Sequence, residues 1–247
     1  MIDLHCHYLP GIDDGAQTLD ESLALARAAV ADGITHAVMT PHIHAGMFAN
    51  NAASIRAATL SFQVALAKHD IALAISAGGE VRIGPEIIEW VAAGEIPFLG
   101  QLDGRQVILL EMPHGHLPVG ADRLTAWLLK QNIIPLIAHP ERNKDVMRKL
   151  AKLDPFLEQG CLLQVTAGSL LGRFGPVAQK RAREVLDRGE IFAVATDAHN
   201  LENRPPLLTE ARAWLLATAG EEAAHVLTYR NAFALLGGNG GTPPMRA

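Results

Sequence analysis

The chain has 247 residues, of which 49% are hydrophobic and 19% are charged, and this is enough apolar material for one large core. Its 26 acidic and 21 basic residues give a net charge of −5, and the scattered lysines and arginines argue against a surface for nucleic acid or an anionic membrane. Two cysteines exclude a disulfide scaffold, and the lack of a visible signal peptide or long apolar run predicts a cytoplasmic protein without membrane insertion.

Short β-like runs alternate with segments of helical period along the chain. Strands are predicted at seven places: 1–5, 36–40, 71–77, 106–110, 133–138, 161–166 and 191–196. Helices are predicted near 18–32, 51–69, 85–93, 121–131, 145–159, 176–188, 206–219 and 221–236. This alternation implies an α/β fold with parallel strands, either an open doubly wound sheet or a closed barrel. We predict a single domain over residues 1–236 and a frayed tail over 237–247.

Metal-capable side chains follow six of the seven predicted strands, at the edge where parallel β/α folds build active sites. Residues i and i+2 of a strand point the same way, so His5 and His7 can reach one ion together, as can Asp197 and His199. Mixed imidazole and carboxylate ligands suit Mn, Fe or Zn better than Ca or Mg. The candidates are His5, His7, His42, Glu80, Glu111, His139, Asp197, His199 and either Asp13 or Asp14, which spacing alone does not separate.

The charge of this set indicates a substrate class. One aspartate with Glu80, Glu111 and Asp197 contributes four negative charges, while five histidines bind metal in the neutral form. Three divalent ions therefore leave the cluster at +2, which suits a phosphate ester dianion. Bound metal also lowers the pKa of water to about 7 and so supplies hydroxide without a protein nucleophile.

The ordered motifs resemble the polymerase-and-histidinol-phosphatase (PHP) superfamily. They are His5-x-His7, Asp14, Thr40-Pro41-His42, Gly79-Glu80-Val81-Arg82, Glu111-Met112-Pro113, Ala138-His139-Pro140-Glu141-Arg142 and Asp197-Ala198-His199-Asn200. More narrowly, the chain is similar to the bacterial PHP-type protein-tyrosine phosphatases encoded with capsule and exopolysaccharide export genes. Residues 164–175 (QVTAGSLLGRFG) also look like that family, and the likeness runs from residue 2 to about residue 236.

The resemblance implies a distorted seven-stranded (β/α)7 TIM-like barrel of the PHP type with three divalent ions, commonly Mn²⁺, with Fe or Zn as alternatives. It implies one ion on His5, His7, Glu80 and Asp197, a second on Glu80, Glu111 and His139, and a third on Asp14, His42 and His199. Arg142 and Arg204 match the family's phosphate-binding arginines, and a guanidinium fork fits phosphate oxygens. The implied reaction is attack of a metal-bridging hydroxide on phosphotyrosine in the tail of a bacterial tyrosine autokinase of polysaccharide export.

Other functions were weighed against this one. The same site can serve histidinol phosphate or another small phosphate ester, but residues 164–175 and 200–204 favour the tyrosine phosphatase branch. A nucleic-acid-processing PHP domain is disfavoured by the acidic balance. An amidohydrolase usually needs a bridging lysine and a lone final aspartate, and a domain that only binds a kinase is disfavoured because no ligand position is missing. The sequence does not predict an oligomeric state.

Several further residues have a structural interpretation. His36, His69, His114, His116 and His225 are interpreted as packed or exposed histidines, while a site role for His44, Tyr8 and Phe48 stays open. The pair His5-Cys6 resembles the start of the phosphate-binding loop of cysteine-dependent tyrosine phosphatases. That chemistry needs an arginine six residues after the cysteine, and Ile12 stands there. Cys6 is therefore predicted to point into the barrel wall.

Overall fold

The computed structural model describes residues 1–238. Of the tail predicted at 237–247, residues 239–247 lie outside the described part of the chain. The described part contains ten strands: β1 (Ile2–Cys6), β2 (His36–Met39), β3 (His42–Ile43), β4 (Ala74–Ala77), β5 (Glu80–Arg82), β6 (Gly100–Leu102), β7 (Arg105–Glu111), β8 (Ile133–Ala138), β9 (Leu162–Thr166) and β10 (Ile191–Ala195).

The helices alternate with these strands, as the sequence predicts. They are α1 (Leu19–Ala31), α2 (Ala52–Lys68), α3 (Ile87–Ala93), α4 (Ala121–Lys130), α5 (Lys144–Arg148), α6 (Asp154–Gln159), α7 (Ala167–Leu170), α8 (Pro176–Asp187), α9 (Thr209–His225) and α10 (Asn231–Leu235). Short 3₁₀ turns cover Pro140–Arg142 and Leu150–Leu153, and a π-helical turn, Val226–Arg230, joins the last two helices. Within residues 1–238, no helix combines the length and the apolar character needed to cross a bilayer.

The strands form two sheets that are parallel apart from β6. One sheet has the order β1-β2-β4, and the other has the order β10-β9-β8-β7-β5-β3, with β6 antiparallel to β7. The mixed α/β fold with parallel strands is therefore confirmed. The predicted count of seven strands differs from the structure, because β3, β5 and β6 have only two or three residues each and are too short to show a period in the sequence.

The two sheets approach each other at both sides of the site. On one side, Gly78 and Gly79 carry the chain from β4 to β5, where a Cβ on Gly78 would lie 2.7 Å from Leu99 Cδ2. A glycine is needed there because no larger residue fits between the sheets. On the other side, the Asp197 amide donates to the His5 carbonyl at 2.8 Å, and the His7 amide donates to the Ala198 carbonyl at 2.9 Å. The ends of β1 and β10 are thereby fixed side by side.

Alternate residues of the strands serve two apolar clusters. In β7, Val107 and Leu109 pack in the smaller cluster with Leu235 of α10, whereas Ile108 and Leu110 pack in the larger one. Burial on both faces explains why these strands read as continuous apolar runs. The alternation places Glu111 on the same side as Val107 and Leu109, at the C-terminal end of the strand.

Candidate metal centre

Four buried side chains from three strand ends converge on one point. The Nε2 atoms of His5 and His7 lie 3.2 Å apart at the end of β1. Glu80 Oε2 lies 3.2 Å from the first nitrogen and 3.5 Å from the second. Asp197 Oδ1 lies 3.3 Å and 3.5 Å from the same two atoms. All four donor atoms lie within 4.8 Å of one another, so a single cation can contact all of them.

Unpartnered polar atoms test whether a metal ion fits this group. Glu80 Oε2, Asp197 Oδ1 and His199 Nε2 are buried and have no hydrogen-bond partner in the described part of the chain. Buried polar atoms are ordinarily satisfied, so each such orphan needs a reason. Here the three orphans point into one cluster of imidazole nitrogens and carboxylate oxygens, which is the ligand set of Mn, Fe or Zn. The residues therefore fit a divalent metal ion.

In His5, His7 and His199 the other ring nitrogen is already used. His5 Nδ1 donates to Gln164 Oε1 at 2.9 Å, and His7 Nδ1 donates to Asp13 Oδ2 at 2.6 Å. His199 Nδ1 lies 3.0 Å from the Asp197 carbonyl oxygen. Such contacts fix the tautomer and leave the Nε2 lone pair for a metal. The histidines are therefore oriented for ligation before an ion arrives.

Asp13 and Asp14, which spacing did not separate, have different places. Asp13 is buried, and its Oδ2 also accepts from the His42 amide at 3.0 Å, so this carboxylate is occupied behind the cluster. Asp14 is half exposed, and its Oδ1 lies 3.2 Å from His42 Nε2 and 3.4 Å from His199 Nε2. Asp14 thus faces the donors, whereas Asp13 orients His7.

Glu80 is shared by several of the predicted ligands. Its Oε2 lies 3.0 Å from His42 Nδ1, and its Oε1 lies 2.8 Å from His139 Nε2. The donor groups close enough to share an ion are three: His5, His7, Glu80 and Asp197; His7, Asp14, His42 and His199; and His42, Glu80 and Glu111. The first contains the predicted set, the second adds His7 to the predicted set, and the third has His42 where the sequence predicts His139.

The two predicted arginines meet at one carboxylate oxygen. Arg142 Nη1 and Arg204 Nη2 both donate to Asp197 Oδ2, on the side of the carboxylate away from the histidines. Phe174 lies under the Arg142 guanidinium, with its ring centroid 4.3 Å from Cζ, and His114 Nε2 lies 3.2 Å from Arg142 Nη2. A guanidinium stacked on a ring is held in one plane. Two cationic forks therefore stand beside the donor cluster.

Two of the ligands have unusual backbone conformations. His139 has φ 33° and Asp197 has φ 54°, both in the left-handed region and both at the end of a strand. Residues other than glycine seldom adopt such angles, although Asp, Asn and His do so more readily than most, as Asp70, Asp103 and Asn132 do in turns of this chain. At His139 and Asp197 the strained residues are also predicted ligands, as is common at functional sites.

The pKa values of the histidines fall into two groups. Burial lowers the pKa of His139 to about 4, helped by the nearby charge of Arg142, and burial with the charge of His7 lowers the pKa of His199 to about 4. Burial also acts to lower the pKa of His42, but the charge of Glu80 and the contacts with Asp14 and Glu80 outweigh it and raise the pKa to about 10. Without metal, His42 therefore carries a proton at neutral pH.

Several contacts were missed by sequence reasoning. Arg82 Nη1 lies 2.8 Å from Glu111 Oε2, and the His114 ring stacks on the His139 ring with 5.6 Å between the centroids, so His114 packs beside the site without joining a donor group in the described part of the chain. Arg82 and Gln164 lie inside motifs already singled out, and this was a usable signal. Phe174 also lies inside the run 164–175 singled out above, whereas His114 comes from a loop where no period marks it. Of the open residues, Tyr8 is fully buried in the core, and Phe48 stacks on His42 at 5.5 Å.

Cys6 does not belong to the cluster. Its side chain is fully buried, packs with Ala37 and Met39, and its Sγ donates to the Val38 carbonyl at 3.3 Å. Burial raises the pKa of the thiol well above its ordinary value, so no thiolate forms near neutral pH. These contacts agree with the prediction from the sequence that Cys6 points away from the site into the wall formed by the strands.

Comparison with known proteins assigns this site to a family. A parallel α/β scaffold that gathers imidazoles and carboxylates at its strand ends defines a metal-dependent enzyme. The family model described as capsular polysaccharide synthesis, CpsB/CapC, matches residues 1–237. The chain belongs to this family, and the resemblance drawn from the sequence is confirmed.

Individual relatives agree with this assignment. Tyrosine-protein phosphatase YwqE of Bacillus subtilis (strain 168) is 38% identical over 236 residues, which cover 96% of this chain and 91% of the relative. Tyrosine-protein phosphatase CpsB of Streptococcus agalactiae serotype III is 29% identical over 250 residues, covering 96% and 98%. A solved structure from work on YwqE of Bacillus subtilis and CpsB of Streptococcus pneumoniae, called unique metal-dependent tyrosine phosphatases, superimposes with a TM-score of 0.87 at 36% identity, covering 95% of this chain and 94% of that chain.

Proposed function

We propose that this chain is a metal-dependent protein-tyrosine phosphatase that dephosphorylates the tail of a bacterial tyrosine autokinase of polysaccharide export. The observation that carries the proposal is the convergence of nine donor residues and two arginines at one edge of the strands. The names of the relatives support phosphotyrosine as the substrate over histidinol phosphate. The kinase partner is supported by the family's description as capsular polysaccharide synthesis.

The metal complement is part of this proposal. Three overlapping donor groups support three ions, held by His5, His7, Asp14, His42, Glu80, Glu111, Asp197 and His199, and we add His139 because its Nε2 lies 2.8 Å from Glu80 Oε1. The mixed nitrogen and oxygen donors support Mn²⁺, with Fe or Zn as alternatives. When bound, such ions neutralise the phosphate ester and activate a water molecule for its hydrolysis.

The protein's own residues account for recognition of the phosphate. We assign Arg142 and Arg204 to the phosphate oxygens, because both guanidinium groups are aimed at the edge of the cluster and one is fixed in its plane by Phe174. Fixed cationic forks stabilise negative charge that moves among the phosphate oxygens during transfer. Phe48, stacked on His42 beside the cluster, offers an aromatic edge for the phenyl ring of the substrate.

The wider architecture belongs to the same proposal. We infer that the two sheets together form a closed, distorted (β/α)7 barrel of the PHP type, because β1 and β10 are bonded at one side and Gly78-Gly79 bridge the other. A single catalytic domain over residues 1–236 is supported by cores that draw on strands of both sheets. A cytoplasmic location is supported by two buried cysteines that are free thiols.

The experiment that tests the function compares two substrates. Metal-stripped protein is assayed with a tyrosine-phosphorylated kinase-tail peptide and with histidinol phosphate, each with and without Mn²⁺. We expect manganese-dependent turnover that favours the peptide strongly. Preference for histidinol phosphate would replace the substrate and keep the metal site. Bound manganese without turnover of either compound would contradict the phosphatase assignment.

Replacement of Arg142 tests its assignment to phosphate. In Arg142→Ala we expect the Michaelis constant for the phosphotyrosyl peptide to rise about tenfold or more, with a smaller change in kcat, because a bidentate donor is lost. The Michaelis constant of Arg142→Lys should lie between those of the wild-type enzyme and Arg142→Ala, because lysine keeps the positive charge but lacks the forked guanidinium group. The control is Arg148→Ala, an exposed arginine paired only with Asp145. An unchanged Michaelis constant in Arg142→Ala would remove this residue from the phosphate site.

Replacement of Cys6 separates this chemistry from that of cysteine phosphatases. We expect Cys6→Ala to keep its turnover within about twofold, because the buried thiol is protonated and contacts only the strand wall. Iodoacetamide at pH 7.5 should leave the native enzyme active for the same reason. Loss of activity in a variant that retains its melting temperature would contradict a cysteine-independent mechanism.

Metal affinity should depend on pH in a defined direction. The raised pKa of His42 means that an ion binding there displaces a proton at any pH below about 10. We therefore expect manganese affinity to rise with pH between 6 and 8, by about tenfold per unit for each proton displaced. Calorimetric titrations at pH 6, 7 and 8 measure this slope, and His42→Ala should reduce it. An affinity independent of pH would argue against His42 as a ligand.

A further inference from the structure

A cavity of about 270 Å³ opens beside the metal centre and is not used by the reaction described above. Its walls come from the residues that follow β3 and β5, namely His44, Arg82, Ile83 and Pro85, together with Glu86 and Trp90 at the start of α3. These segments lie beside the candidate ligands, because Arg82 pairs in register with Glu111 and His44 stands two residues after His42. The cavity and the metal centre are therefore neighbouring parts of one mouth.

Arg82 contacts both the donor cluster and the cavity. Its Nη1 lies 2.8 Å from Glu111 Oε2 within the donor cluster, while the same side chain lines the cavity. A guanidinium carries five N–H donors in a fork, so those on Nη2 and Nε remain for a second partner. The side chain is 23% exposed, which leaves it accessible from the cavity.

The same cavity offers an acceptor. The Glu86 carboxylate folds over the chain at Gly84, where a Cβ would lie 2.3 Å from Oε2, so any larger residue would displace this carboxylate. Ile83, Pro85 and Trp90 contribute apolar side chains to the wall of the same cavity. A peptide unit carries one acceptor and one donor beside a side chain, which matches this set of groups.

The loop from His44 to Phe48 touches both the cavity, through His44, and the donor cluster, through Phe48, and its tip is exposed. The His44 amide donates to the Phe48 carbonyl at 3.1 Å, Phe48 stacks on His42, and Met47 is 66% exposed. The deepest donors are buried, so a phosphotyrosine whose phosphate reaches them leaves its polypeptide on this rim. A chain crossing the rim beside Arg82 meets the cavity next.

We propose that this cavity is a subsite for the substrate polypeptide beside the phosphotyrosine, which it holds through one peptide unit and an uncharged side chain with a large apolar body. The inference rests on the proposed phosphatase function and deepens it, because it makes a peptide a better substrate than free phosphotyrosine. Arg82 donates to the peptide carbonyl, Glu86 accepts from the peptide N–H, and the side chain packs on Trp90. A charged neighbour fits poorly, because its charged group would lose hydration against Ile83, Pro85 and Trp90.

The test compares a peptide with the amino acid that it contains. The manganese-loaded enzyme is assayed with free phosphotyrosine and with phosphotyrosyl peptides whose flanking residues are leucine, aspartate or lysine. We expect kcat/KM to be highest for the leucine peptide. In Glu86→Ala and Trp90→Ala, kcat/KM should fall about tenfold for the leucine peptide and stay unchanged for free phosphotyrosine. Glu89→Ala is the matched control, because Glu89 lies exposed on the same helix and does not line the cavity.

Trp90 also packs against the core, so Trp90→Phe is included to keep an apolar wall, and it should recover most of the peptide activity. Equal loss for both substrates, or equal kcat/KM of the wild-type enzyme for both, would overturn the subsite and leave the phosphatase function intact. Higher kcat/KM for a charged flank would overturn its stated chemistry. Absence of turnover for every phosphotyrosine substrate would overturn the proposed function and the subsite with it.

Discussion

The Asp197→Asn enzyme should lose at least about a thousand-fold in kcat/KM while remaining folded. Asp197 Oδ1 lies 3.3 Å from His5 Nε2 within the metal-binding group, and Oδ2 accepts from both Arg142 and Arg204. The substitution keeps the shape of the side chain and removes its charge. It therefore weakens binding of the metal ion and removes the negative charge that Arg142 and Arg204 share.

The measurement pairs turnover of the phosphotyrosyl peptide with manganese content and circular dichroism. Asp187→Asn is the matched control, because Asp187 is exposed at the end of α8 and should show unchanged turnover. Retained activity in Asp197→Asn, with a native spectrum, would be incompatible with its assignment as a ligand. His42→Ala should also abolish turnover, because His42 belongs to two of the three donor groups.

Removal of metal should lower the melting temperature strongly. Ions that bind only the native state at a thousand times their dissociation constant stabilise it by about 4 kcal/mol. In a domain of this size, each kcal/mol corresponds to about 2–4 °C, so chelation should lower Tm by about 8–16 °C. The physical reason is that the cluster holds buried carboxylates, of which Glu80 and Asp197 have orphaned oxygens without a cation.

Scanning calorimetry after chelation and after addition of Mn²⁺ measures this difference. Glu80→Gln should remove most of the metal-dependent rise in melting temperature, because Glu80 Oε2 contacts His5, His7 and His42. Glu158→Gln, at an exposed glutamate of α6, is the control and should keep the full rise. An unchanged Tm upon chelation, with metal loss verified, would argue against ions bound by the native cluster.

Much of this arrangement was predictable from the sequence, for a physical reason. Side chains of parallel strands that end at one edge must converge, so donors that directly follow the apolar runs mark the site. The i, i+2 spacing of His5 and His7 also fixes their shared direction, and the two nitrogens do meet at 3.2 Å. The succession of strands along the chain and the donors that follow them are local properties that a periodic pattern carries.

The remaining features depend on distances between segments far apart in sequence. Nothing local distinguishes Asp13 from Asp14; the difference appears only when Asp13 binds His7 from behind. His139 lies beside Glu80, and only the tertiary packing shows that His42 reaches Glu80 and Glu111 as well. Phe174 and Arg142 meet through two loops whose approach no period predicts.

The left-handed backbone at His139 and Asp197 has an evolutionary consequence. Each such residue costs on the order of 1–3 kcal/mol, which the rest of the fold must offset. Glycine would relieve that strain at either position, and it would also delete a ligand. Selection for thermal resistance alone, applied to the metal-free protein, should therefore enrich glycine at these two positions and yield sturdier proteins that no longer turn over substrate. At these two residues, stability of the metal-free protein and catalysis make opposite demands on the side chain.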